Sequence, residues 1–204
     1  LIAWSIDAAL KSKYVHRVLV TTDTVEIAKV AKSYGAWVPF LRNKSLAQDD
    51  SSITDVVRDV LSNTEVQGFN YKVVVLLQPT SPLRTAQYID DAIELYLEQN
   101  KSNSDTLVSV YRVDSKGLLA FGINNDSGNL YSHFGLDLVN PRRQDLPECY
   151  MPNGSIYISQ TDKFCGFFSE NTIPFVMDKN ISIDIDYADD LEIASALLSK
   201  DYVK

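Results

Sequence analysis

Several things are scarce in this sequence, and each shortage narrows what the chain can be. Only two cysteines, Cys149 and Cys165, occur among 204 residues. That pair builds neither a disulfide framework nor a zinc-type spacing, so a reduced, cytoplasmic setting is expected. No run approaches the ~20 apolar residues that span a bilayer, and no membrane association is expected. The opening residues lack the basic segment and small-residue cleavage site of a secretory signal. Positive charge is short too, with 19 Lys and Arg against 27 Asp and Glu, a net charge of −8. A general nucleic-acid binder needs a basic face, so that class is not expected, although a local basic pocket for a small anion is compatible. The two histidines, His16 and His133, have no recognisable nucleophile nearby in sequence and read as surface or packing residues.

What is present is a globular composition, 45% hydrophobic and 23% charged, with a length that suits a single domain over residues 1–204. Residues 1–10 read as a helix already in progress, so the native polypeptide is expected to begin earlier. The β-branched run 17–22 predicts a strand, and VEIAKVAKSYG predicts a helix stopped by Gly35. A strand at 37–40 and an amphipathic helix at 52–61 follow. Residues 73–77 (VVVLL) form a continuous apolar run, the pattern of a central strand covered on both faces. A helix over 85–99 completes an alternation that predicts an α/β domain, a mainly parallel sheet with flanking helices. After residue 101 helix signals thin out: a strand at 106–113, a hairpin in FGINNDSGNLY, and a strand at 155–159. The stretch 111–151 reads as an insertion projecting from the sheet. A strand at 181–185 and a helix at 189–199 end the chain.

Three segments carry chemistry. QPTSPLR, residues 78–84, follows the most buried-looking strand, where open α/β sheets collect ligands. Gln78, Thr80, Ser81 and Arg84 offer donors there, and a rigid strand-to-helix turn is the alternative. SIDID, residues 182–186, places Asp184 and Asp186 on one face of the predicted strand, close enough to share a divalent cation. All-oxygen ligands favour Mg²⁺. In PRRQDLP, Arg142, Arg143 and Gln144 suit a carboxylate or phosphate, with a solvated charge cluster as the alternative. Phe167 and Phe168 read as core or as the apolar wall of a pocket.

Taken in order, VTTDTVEIAKVAKSYGA, LAQDDSS, LLQPTSPLR, RRQDLPECYMPNGSIYI and SIDIDYADDLEIA resemble the acylneuraminate cytidylyltransferases, the CMP-sialic acid synthetases. The resemblance implies a Rossmann-like nucleotidyltransferase fold with an inserted dimerisation element. It implies CTP and a nine-carbon α-keto acid sugar as substrates, Mg²⁺ as cofactor, and a homodimer. By position, Asp184 and Asp186 match the catalytic metal ligands and Gln78 a sugar contact. Arg143, with Gln144 beside it, matches an arginine that a partner subunit offers to the sugar carboxylate. Tyr157, Phe167 and Phe168 match the pocket for the N-acyl group, and Lys116 an inserted-domain lysine near the sugar. Arg42, Ser51 and Ser52 match the side of the nucleotide base. The family opens with a strand and an Arg-x-Gly-Ser-Lys-Gly loop that surrounds the CTP phosphates. Here nothing precedes Leu1, whose helix resembles the one after that loop. Legionaminic and pseudaminic acids share the carboxylate and anomeric centre, so their activating enzymes fit equally. A noncatalytic nucleotide- or sugar-binding protein fits if the loop is truly absent.

Overall fold

The computed structural model describes residues 1–66, 68–99, 106–135, 142 and 145–199. Alternating side chains decide its architecture. In β5 (Cys149–Gln160), Ile156 and Ile158 are fully buried in one core cluster, while Tyr157 between them joins another. β2 (Thr106–Val113) divides Leu107 from Val108 in the same way. β1 (Val73–Leu76) sends Val73 and Val75 to the first cluster and Val74 and Leu76 to the second. This period of two gives the sheet two apolar faces, and both require cover.

Helices supply it. α1 (Ile2–Lys11) contributes Ala8 and Ala9 to the first cluster, and α4 (Ala86–Gln99) contributes Ile89, Ala92, Ile93 and Tyr96. α5 (Ala188–Ser199) adds Leu197 and Leu198 at its edge. On the other face, α3 (Ile53–Val66) packs Val57 against Val108 and Phe167. Each fully buried isoleucine stabilises this sandwich by roughly 1.5–3 kcal/mol. α2 (Val25–Ser33) packs Ala28 and Ala31 against Ile6 of α1. Its N-terminus is capped by Thr24, whose Oγ1 accepts the Ile27 N–H at 3.3 Å.

The main sheet has the order β1-β5-β2-β6, with β6 formed by Ile173–Val176. β1 and β2 each lie antiparallel to β5, and β6 lies parallel to β2. β1, β2 and β6 therefore run one way, and β5 is the single reversed strand set between two of them. The majority direction is the parallel one the alternation predicts. Between β2 and β5 a separate two-stranded sheet forms from β3 (Phe121–Ile123) and β4 (Leu130–Ser132). Its turn is held by Asn124, whose Oδ1 accepts the N–H groups of Asp126 and Ser127.

Four expectations change. The run 17–22 and the segment 37–40 meet only as a single parallel bridge, Leu19 with Trp37, closed by Val20 N–H to Trp37 O and Trp37 N–H to Val18 O. β1 is half-buried rather than central: it has β5 on one side and otherwise lines a cleft of about 1360 Å³ shared with Val18–Thr22. β6 was not foreseen, because Pro174 lies within its four residues. As an edge strand among the described residues it tolerates a residue with no donor. Residues 182–186 form no strand; they follow a 3₁₀ turn (Lys179–Ile181) as an irregular run. No neighbouring strand offers them a ladder among the described residues, and Ile185 N–H bonds instead to Thr80 O at 2.9 Å.

Candidate active site

QPTSPLR leaves the sheet just past β1, and its backbone is drawn back onto the strands. Arg84 is buried at its far end and donates to Ser155 O at 2.6 Å, to Gln78 O at 3.3 Å and to Ser5 Oγ at 2.6 Å. Burial lowers this guanidinium to about 10, so it is still a cation at neutral pH. Ser81 Oγ donates to Asn153 O at 3.1 Å. α1, the loop and β5 are thereby joined through one short segment, which holds Gln78 at the C-terminal end of β1.

β5 meets that loop with an irregularity. Its register against β2 jumps from Val108↔Tyr157 to Val110↔Pro152, so residues 153–156 are accommodated opposite Ser109 alone. Bulges of this kind re-aim side chains beside functional sites. Here the bulge contains Gly154 at φ 71°, a left-handed conformation that glycine adopts without strain. The absence of a side chain is also used. A Cβ at this position would stand 2.6 Å from Gln78 Oε1 and 2.7 Å from Asp184 Oδ2. The Gln78 amide and the Asp184 carboxylate thus converge on one glycine.

Asp184 is the unusual group in this cluster. Its Oδ1 is buried and has no hydrogen-bond partner, an arrangement that is costly for a carboxylate unless a cation or donor meets it. Burial raises the Tyr157 phenol above its ordinary value, and the charge of Asp184 raises it further, against the opposing pull of a Gly154 backbone hydrogen bond. Asp186 is exposed two residues on. Its N–H and that of Tyr187 donate to Asp190 Oδ2, which anchors the run to the first turn of α5. The donor set fits a hard divalent cation. No group of three or more His, Cys, Asp or Glu side chains is arranged for a metal among the described residues. Among the described residues the carboxylates offered to a cation are thus few, as for an ion that completes its shell with substrate phosphates.

The remaining candidates divide. Tyr157 packs against Phe167 at 5.5 Å and Phe168 at 6.3 Å between ring centroids. Phe167 is core, whereas Phe168 is 63% exposed and free to form a wall. Arg42 lines the large cleft with Thr21 and Thr22, and its N–H bonds to Thr22 O at 2.8 Å. Ser51 and Ser52 do local work: Ser51 Oγ accepts Gln48 N–H, and Ser52 O accepts the N–H groups of Asp55 and Val56 in α3. Lys116 is exposed on the turn after β2, where its N–H donates to Asp114 Oδ1. Arg143 and Gln144 lie outside the described residues; Arg142 is exposed. The residue that sequence reasoning missed is Gly154. The signal was the Asn-Gly pair just before a predicted strand, a pattern that marks bulges.

Comparison with known proteins places this geometry among relatives. A family model described as cytidylyltransferase matches residues 1–119. An N-acylneuraminate cytidylyltransferase of Escherichia coli O18:K1:H7 is 34% identical over 98% of this chain, which spans 46% of that protein's length. A CMP-N,N'-diacetyllegionaminic acid synthase of Legionella pneumophila is 36% identical over 97% of this chain and 84% of its own. The solved structure of a CMP:2-keto-3-deoxy-manno-octonic acid synthetase complexed with CTP shares the fold at a TM-score of 0.69 and 15% identity, covering 98% of this chain and 88% of that one.

Proposed function

This chain belongs to the cytidylyltransferase family, and from that premise we propose that it joins CMP from CTP to the anomeric hydroxyl of N-acetylneuraminate or a close nine-carbon relative. The observation that carries the reading is the convergence on Gly154 of Gln78 and of the Asp184 carboxylate, whose Oδ1 is buried without a partner, at the strand end where α/β sheets bind ligands. The sugar hydroxyl attacks the α-phosphorus of CTP and gives up its proton to solvent; an O–P bond forms, the bond from the α-phosphorus to the bridging oxygen breaks, and pyrophosphate leaves with that electron pair. Asp184 and Asp186 would hold Mg²⁺, which when bound neutralises phosphate charge. Gln78 orients the sugar from the end of β1. Arg143, with Gln144 beside it, meets the sugar carboxylate and selects an α-keto acid over an ordinary aldose. Phe168 and Tyr157 border the N-acyl group. Arg42 belongs to the nucleotide side, in the cleft that also reaches Leu1 and Ile2.

A homodimer is part of the proposal. The β3–β4 hairpin exposes Ile123 and Leu130 at 66% and 67%, an apolar surface of the kind that partners cover. Sedimentation at micromolar concentration should give twice the chain mass; a monomer there contradicts the dimer.

The choice of sugar is tested by comparing turnover of N-acetylneuraminate, legionaminic acid and pseudaminic acid. N-acetylneuraminate is expected to have the highest kcat/KM. A higher value for either rival moves the assignment to that sugar, and no turnover of any of the three sinks it.

A further inference from the structure

The bulge in β5 does more than seat a glycine. Asn153, its first residue, is 2% exposed and turns its side chain into the protein. Oδ1 accepts from Ser109 Oγ at 2.6 Å and from Ser155 N–H at 3.2 Å. Nδ2 donates to Ser182 Oγ at 2.9 Å and makes a weaker contact with Met177 Sδ at 3.4 Å. Both lone pairs and both N–H groups are engaged, which fixes the direction of the amide. The two strong ends differ in kind. Ser109 lies in β2, within the sheet. Ser182 lies two residues before Asp184, in the irregular run that has no strand partner, and its Oγ passes on to Asp178 O at 2.8 Å. On the far side of Asp184 the run is held by Ile185 N–H on Thr80 O.

We infer that Asn153 is a positioning residue: it latches the run carrying Asp184 to the β2–β5 pair and so sets where that carboxylate stands relative to Gln78. The catalytic consequence rests on the cation reading proposed above, but the latch itself does not. A buried asparagine that merely stabilises the core acts on the whole fold, whereas a latch acts on one run.

The experiment uses the full chain and the variants Ser182→Ala, Asn153→Ala, their double and Asp184→Asn. Hydrogen exchange at the Ile185 amide should accelerate about tenfold in Ser182→Ala, while amides paired between β2 and β6 change by less than about twofold. Asn153→Ala should accelerate Ile185 by at least as much, and the double variant should add little to it, because both remove one bond. Mn²⁺ affinity, followed by electron paramagnetic resonance with CTP present, should weaken about tenfold in Ser182→Ala, as expected for loss of about one hydrogen bond's worth of positioning. Uniform acceleration across β2, β5 and β6, or additive effects of the two substitutions at Ile185, overturns the latch. Mn²⁺ binding lost in Asp184→Asn but unchanged in Ser182→Ala also overturns it, and leaves the proposed function standing. Mn²⁺ binding unchanged in Asp184→Asn contradicts the cation reading instead, with Ile185 exchange still deciding the latch.

Discussion

Gly154→Ala is expected to reduce kcat/KM for pyrophosphate release by at least about 10²-fold, since displacements on the order of 1 Å at a reacting centre have that effect. The added methyl would stand 2.6 Å from Gln78 Oε1 and 2.7 Å from Asp184 Oδ2, so both contacts must open. The backbones that carry them are held, so the retreat falls on the two side-chain ends and turns the amide and the carboxylate away from their meeting point. Gln78 O is held by Arg84, and the Asp184 run is held at Ser182 and Ile185. The left-handed φ of 71° adds strain of its own. Together these should lower stability by about 1–3 kcal/mol in urea denaturation, which leaves a folded protein in which to measure the loss. Wild-type kinetics in a folded Gly154→Ala variant would remove the glycine, and the convergence it permits, from the account.

Asp184→Asn is expected to act oppositely on activity and stability. A cation ligand is removed, and pyrophosphate release should fall on the order of 10³-fold. Yet Asp184 Oδ1 is buried with no hydrogen-bond partner, so without a cation the folded protein holds an unmet acceptor there. An amide is neutral and can donate toward Gln78 Oε1, so cation-free stability should hold or rise by about 1 kcal/mol. Thermal unfolding in chelator, set beside kinetics in Mg²⁺, reads both. A clear loss of stability in chelator would mean that the carboxylate makes a structural bond, and would weaken its assignment as a ligand.

The sequence made the layers legible because they depend on local patterns. Leu107 beside Val108, and Ile156 and Ile158 about Tyr157, alternate with the period of a strand. The helices were readable from their apolar stripes, and the end of α2 from Gly35. The edges were not legible, because pairing belongs to neighbours rather than to the segment itself. Val18–Thr22 has strand composition but, among the described residues, finds only Trp37 as a ladder partner, and VVVLL reads as central although β1 borders a cleft. β6 hides behind Pro174, which only an edge accommodates. At the site, Gln78 and Asp184 were legible as residue types after a buried-looking strand and in an acidic pair. Their meeting point was not, since it depends on a register jump opposite Ser109 that no single segment contains. Asn153 and Gly154 were visible as letters, but their work lies between strands.

The most direct test of the central claim is pyrophosphate release from CTP, Mg²⁺ and N-acetylneuraminate, comparing this chain with a longer form extended at its N-terminus by a strand and an Arg-x-Gly-Ser-Lys-Gly loop. Release by the longer form that requires both substrates and disappears in Asp186→Ala is the predicted result. A folded longer form that releases no pyrophosphate with this sugar or its nine-carbon relatives would contradict the account and favour a noncatalytic binding protein.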